Sequence, residues 1–293
     1  TLPRGGRKVE RERRLALGGV ALHKSIVPDE VIHSRQNPRV QGVAKLRDRA
    51  VRDARGRFLV EGLRELSRAL ERKVALEEIY FCPALFKDAA ASEALLNQAR
   101  QAGVALCELG DSAFEKVSGR EGPDGLLGVA ETWDVSLARL ALGTAPLVLI
   151  AEAVEKPGNL GALLRTADSA GCAALVVCDP VTDLFNPNVI RASQGAAFSV
   201  PVAVAATADA IAWAKAKGLR VLATTPDGAK PLWDVDARGS VAIVMGSEKD
   251  GLAPAWLDAA DARVVIPQAG LSDSLNVATA AAICLFEAVR QRR

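Results

Sequence analysis

The sequence predicts an α/β protein built from a small N-terminal α/β domain and a larger C-terminal parallel-sheet domain. Five short apolar runs point to the second domain, at residues 147–151, 174–178, 220–224, 241–245 and 263–266. Each is mostly β-branched or leucine-rich, and helical sequence separates it from the next. Runs apolar on both faces suit strands of a parallel sheet covered by helices on each side. Strands and helices also alternate over residues 39–131, in shorter pieces. The length of 293 residues suits two domains, and an apolar fraction of 49% with 25% charged residues is ordinary for a globular chain.

Residues 1–38 read as a basic tail. Six of the twelve residues 3–14 are Lys or Arg, and apolar periodicity is poor until Val20. Such a segment is either a solvated extension or an arm that touches RNA. A compact unit starts near Asn37. Lys45, Arg47, Arg49 and Arg52 fall at helical spacing within 43–55, and Phe58-Leu59-Val60 then forms a strand ending at Gly62. A helix through Leu63, Leu66 and Leu70 follows, then a strand at 76–82, a helix at 84–102 and a strand at 104–109. Asp111 caps a short helix to Val117, and 126–130 is the last strand of the unit. A thin linker at 132–145 leads to the domain at 146–293.

Charge and composition exclude several functions. The chain holds 37 Lys/Arg against 35 Asp/Glu, yet residues 1–60 carry a net +9 and the rest a net −7. That asymmetry raises a nucleic-acid partner. The five cysteines are dispersed with no C-x-x-C pair, which argues against a disulfide framework or zinc site and for a reducing, cytoplasmic setting. No apolar run is long enough to span a membrane, and residues 4–14 lack the apolar core of a secretory signal. The only histidines are His23 and His33, so a centre further along works without imidazole; no P-loop is present.

In an open parallel sheet, ligands bind beyond the carboxyl ends of the strands. Three of these ends carry residues that packing does not obviously need. After the first run comes Glu155-Lys156-Pro157-Gly158-Asn159-Leu160-Gly161, with Arg165 further along the helix. Gly161 there lets the helix start close to the sheet. After the fourth comes Gly246-Ser247-Glu248-Lys249-Asp250-Gly251-Leu252. After the fifth comes Ile266-Pro267-Gln268-Ala269-Gly270-Leu271-Ser272-Asp273-Ser274-Leu275-Asn276-Val277. Taken singly, each has a bland explanation in turn formation or helix capping, with Ser274 as N-cap and Asn276 in the first turn.

Together, in this order and spacing, they closely resemble the three motifs of the SpoU (TrmH-like) family of RNA 2′-O-methyltransferases, over roughly residues 146–293. The segment Asn37-Pro38-Arg39-Val40, with Phe58-Leu59-Val60-Glu61-Gly62, resembles that family's small RNA-binding domain. Gln268 and Ala278 depart from the usual pattern, at positions without a proposed chemical role. The resemblance implies a C-terminal trefoil knot, S-adenosylmethionine as cofactor and no metal. It implies cofactor contacts at Gly246, Ile266, Leu275 and Thr224, and a catalytic group of Asn159, Arg165, Glu248, Ser274 and Asn276. In that reading Arg165 clamps a phosphate and steadies the developing alkoxide, because a guanidinium stays protonated, and Glu248 orients Arg165 or Asn159. Arg191, in a further stretch that resembles the family, is expected either to contact RNA or to form a surface salt bridge. The RNA is expected to be ribosomal from the likeness of the first domain, and the family's members are homodimers. A tRNA-modifying enzyme and a non-catalytic RNA-binding assembly factor are the alternatives.

Overall fold

The computed structural model describes residues 31–228, 230–271 and 274–293. The basic stretch 1–30, where most of the expected tail falls, lies outside the described residues. The small domain begins before residue 39, because Ile32 pairs alongside Leu109, just past the strand of residues 105–108. Its N–H donates to Glu108 O, and its carbonyl accepts from Gly110 N, both at 3.0 Å.

Helix α1 (Pro38–Ala44) starts where Asn37 accepts from Arg39 N and Pro38, which has no N–H, needs no acceptor. The single basic helix expected over 43–55 is broken. A 3-10 turn at Lys45–Arg47 precedes Asp48, which accepts from Ala50 N at 2.8 Å and starts α2 (Arg49–Arg55). Strand β1 (Arg57–Glu61), α3 (Leu63–Glu71) and β2 (Leu76–Phe81) follow. Helix α4 (Ala89–Gln101) starts later than expected, because Pro83 forms a 3-10 turn and Asp88 supplies the N-cap. Strand β3 (Ala105–Glu108), α5 (Asp111–Val117) and β4 (Leu126–Glu131) complete the unit. Gly110, rather than Asp111, stands at the N-cap of α5. The sheet runs β1-β4-β2-β3, parallel only between β2 and β3.

The second sheet takes β5 (Leu147–Glu152), α6 (Pro157–Ser169), β6 (Ala174–Cys178), α7 (Pro187–Ala192), β7 (Val202–Ala205) and α8 (Thr207–Ala216). It continues through β8 (Arg220–Thr224), β9 (Lys230–Pro231), β10 (Val241–Met245), α9 (Pro254–Ala259), β11 (Ala262–Val265) and α10 (Val277–Gln291). All five expected strands are present in a seven-stranded parallel sheet of order β7-β6-β5-β10-β8-β11-β9. The two additions are edge strands, one of alternating Val and Ala and one only two residues long. Alternate residues serve opposite faces: Leu147, Leu149 and Ala151 meet α6, α7 and α10, while Val148 and Ile150 meet α8 and α9. Strand β10 lies between β5 and β8, and β11 between β8 and β9. Each of the last two strands therefore enters between strands laid down earlier.

Residues 132–145 are not a thin linker. Trp133 stacks edge-on against Phe58 and Phe185, with centroids 5.6 and 4.8 Å away, and Val204 N donates to Val135 O at 2.7 Å. One apolar core runs from Phe58 and Leu66 in the small domain to Leu149 and Leu163 in the large one. Beside it, buried Arg52 donates to Asp183 Oδ2 at 2.6 Å and to Leu46 O and Arg47 O.

Candidate active site

Strands β5, β10, β8 and β11 are neighbours and parallel, so the loops that follow them gather at one edge of the sheet. Their approach is close. A Cβ on Gly246 would fall 2.2 Å from Gly251 C, and one on Gly228 would fall 2.5 Å from Val264 C. Only glycine permits these crossings. The turn after β10 closes on itself through Ser247 N to Gly251 O (3.0 Å) and Gly251 N to Ser247 O (3.2 Å). That closure turns Glu248 outward.

Helix α6 starts at Pro157, which brings Asn159 into its first turn. Asn276 is the N-cap of α10, in place of Ser274: its Oδ1 accepts from Ala278 N (3.0 Å) and Thr279 N (3.4 Å). Its amide nitrogen remains free to donate. It reaches Glu248 Oε1 at 3.1 Å and Asn159 Oδ1 at 3.2 Å, while Asn159 Nδ2 donates to Glu248 Oε1 at 2.7 Å. Lys156 Nζ completes the group at 2.8 Å from Glu248 Oε2. Three segments far apart in sequence thus close around one carboxylate.

The Lys156 hydrogen bond, followed by those from Asn159 and Asn276, holds the Glu248 carboxyl below its usual range. Glu248 in turn raises Lys156. A carboxylate that accepts from three side chains is a weak proton acceptor, so Glu248 is a fixed anchor rather than a base. Lys156, Asn159 and Glu248 line a pocket of about 170 Å³ with Ala153, Val154, Gly246 and Val277. Ala153 sits there at φ 51, a left-handed conformation costly for alanine, held by its N–H to Cys178 O at 2.8 Å.

The other expected residues stand differently. Arg165 is exposed on α6 and has no hydrogen bond or ion pair among the described residues, so Glu248 orients Asn159 and not Arg165. Arg191, in the last turn of α7, donates to Asn188 Oδ1 at 2.7 Å. Gly161 serves the contact of α6 with α7, since a Cβ there would lie 2.4 Å from that of Ala192; its work is not against the sheet. The Thr224 hydroxyl is engaged within the sheet, where it donates to Val244 O at 2.6 Å. Ile266 packs at the rim of the core, Leu275 is half-buried, and Ser274 is exposed.

Lys156 belongs to the first motif, yet the sequence pattern points to no role for it. Its role depends on a carboxylate 92 residues away, and a lysine before Pro-Gly carries no signal of that. Among the described residues no His/Cys/Asp/Glu group could hold a metal, and no helix is long and apolar enough to cross a membrane.

Residues 146–286 match the SpoU rRNA methylase family, and residues 37–128 match an MRM3-like substrate-binding domain. The chain is 32% identical over 255 residues to a 23S rRNA (guanosine(2553)-2′-O)-methyltransferase of Bacillus subtilis, covering 87% of this chain and 97% of that one. It is 31% identical to a 23S rRNA (uridine(2479)-2′-O)-methyltransferase of Streptomyces viridochromogenes, covering 89% and 92%. Its structure is similar to an AdoMet-bound rRNA methyltransferase from Sinorhizobium meliloti, with a TM-score of 0.80, 30% identity and coverage of 89% and 97%. The fold is that of the knotted α/β methyltransferases. Within that class, the chain belongs to the SpoU rRNA methylase family.

Proposed function

We propose that this chain transfers a methyl group from S-adenosylmethionine to a ribose 2′-hydroxyl of ribosomal RNA. The observation that carries the reading is the closed set Asn159–Glu248–Asn276. It joins the three motif loops at the strand ends, where a parallel sheet binds its ligand. Two relatives named above are 23S rRNA 2′-O-methyltransferases, one for a guanosine and one for a uridine. The RNA class therefore extends to this chain, and the base does not.

The cofactor supplies an electrophilic methyl group. At Gly246 and Gly228 a Cβ would collide with neighbouring backbone at 2.2 and 2.5 Å, so the loops there pack backbone against backbone, and this suits a ligand held by backbone. Gly246, Ile266, Leu275 and the end of β8 at Thr224 would hold it. Transfer needs the hydroxyl oxygen in line with the methyl carbon, so orientation supplies much of the rate. Asn159 and Asn276 are fixed by Glu248 and position the ribose, with Ser274 beside them. Arg165, exposed and unpartnered among the described residues, is free to grip a phosphate and steady charge developing on the 2′-oxygen. Arg191 contacts the RNA from α7. No metal enters this scheme, and we place the enzyme in the cytoplasm as a homodimer.

The test is transfer of labelled methyl from S-adenosylmethionine to ribosomal RNA, followed by alkaline hydrolysis. A 2′-O-methylated linkage resists alkali, so label recovered in alkali-stable dinucleotides supports the reading, and label on mononucleotide bases defeats it. Arg165→Ala should abolish transfer while cofactor affinity, read by calorimetry, stays near wild type. Arg165→Lys should recover little, because an ammonium cannot form the two-pronged phosphate grip.

A further inference from the structure

Most of the positive charge near the start of the described chain is consumed by the fold. Residues 31–60 carry eight Lys/Arg. Five of them hold carboxylates: Arg39 with Glu78, Arg47 with Glu61, Arg49 with Asp53, Arg52 with Asp183 and Arg57 with Glu77. Arg55 donates to Gly42 O at 3.2 Å. Arg35 and Lys45 remain, and neither has a hydrogen bond or ion pair among the described residues. Lys116 on α5 is in the same state.

These three exposed cations line one concavity of about 350 Å³, with Gln36, Gln41 and Ala44 as its other walls. Among the described residues no carboxylate and no aromatic ring lines it. Apolar packing enforces the gathering: Val40 and Val43 of α1 bury against Ala113, Phe114 and Val117 of α5, which carries Lys116 to the basic turn. Like charges brought together without a counter-charge repel one another, so the cluster does not stabilise the fold. It has the composition of a site for a spaced polyanion. The absence of a ring to stack on leaves phosphates, not bases, as the recognised group.

We propose that this concavity docks backbone phosphates of the RNA substrate, through Arg35, Lys45 and Lys116. The proposal rests on the RNA reading above, and none of its residues belongs to the Asn159–Glu248–Asn276 group. A phosphate contact shows itself in salt dependence, since each one contributes about 0.7–0.9 to the slope of log affinity against log salt.

The experiment measures binding of an unmodified 23S rRNA transcript between 50 and 200 mM salt, with methyl transfer followed in parallel. Arg35→Gln, Lys45→Gln and Lys116→Gln should each flatten that slope by about one contact. Over this range each would then lose about threefold less affinity than wild type. Arg49→Gln is the control: its charge is already matched by Asp53, and the slope should hold. Transfer rate at saturating RNA should be unchanged in all four. Wild-type slopes in the three variants overturn the proposal, as does equal flattening by Arg49→Gln or a lost rate at saturating RNA. If wild type binds and the slopes behave as stated but no methyl is transferred, the reaction fails and the docking surface stands. If wild type binds no RNA, both fail.

Discussion

Glu248 shows how a carboxylate is made useful by being made unreactive. Lys156, Asn159 and Asn276 all favour its ionised form, so its pKa in the folded protein lies below the ordinary glutamate value. The stabilisation this gives is fully present above the unfolded pKa and fades as pH falls through the folded one. Activity should therefore persist into mildly acidic solution and decline only below the usual glutamate range. Lys156→Gln removes the largest of the lowering contacts, so the acid limb of the pH–rate profile should move upward. An unmoved limb would show that Glu248 is not the group titrating. Glu248→Gln keeps the shape but leaves Lys156 facing an amide, and a loss of at least about tenfold in turnover is expected from the loosened asparagines.

At the scale of elements, the small domain is bolted to the reaction loops rather than tethered beside them. Arg52 holds Asp183, the backbone N–H of its neighbour Thr182 donates to Val154 O at 3.3 Å, and Val154 lines the pocket two residues before Lys156. Removing one member of a buried ion pair costs about 3–5 kcal/mol, because the other charge is left without a partner. Arg52→Ala should lower stability by about that amount in chemical denaturation, and Arg52→Met, which keeps the stem, by less. The α6–α7 contact makes a second prediction. Gly161→Ala places a methyl 2.4 Å from the Ala192 Cβ and 2.7 Å from its backbone, so about 1–3 kcal/mol of overpacking is expected. A neutral result in denaturant titration would mean that the two helices can separate.

At the scale of the whole molecule, the residues that sequence pattern revealed were those with local causes. Five buried strands were legible because a strand covered on both faces must be apolar throughout. β7 and β9 were not, since an edge strand of Val and Ala and a two-residue strand have no pattern longer than their own turn. Over 43–55 the cations fall at helical spacing, yet the capping bond of Asp48 divides the stretch into two short helical pieces. The motif residues Asn159, Glu248 and Asn276 could be singled out in the sequence, but their mutual contact could not. It joins positions 89 and 117 residues apart.

The sequence by itself determined the α/β class, the family and the residue types at the strand ends, because apolar periodicity and motif spacing are properties of neighbouring residues. Only the tertiary structure decided which charges are free. The excess of cations in the first 60 residues reads as one basic surface along the chain. In the folded protein, carboxylates from Asp53 to Asp183 neutralise most of the described part, and helix packing gathers Arg35, Lys45 and Lys116 into one concavity. Pairing is a matter of distance through space, and that distance is set by how the helices pack rather than by their order.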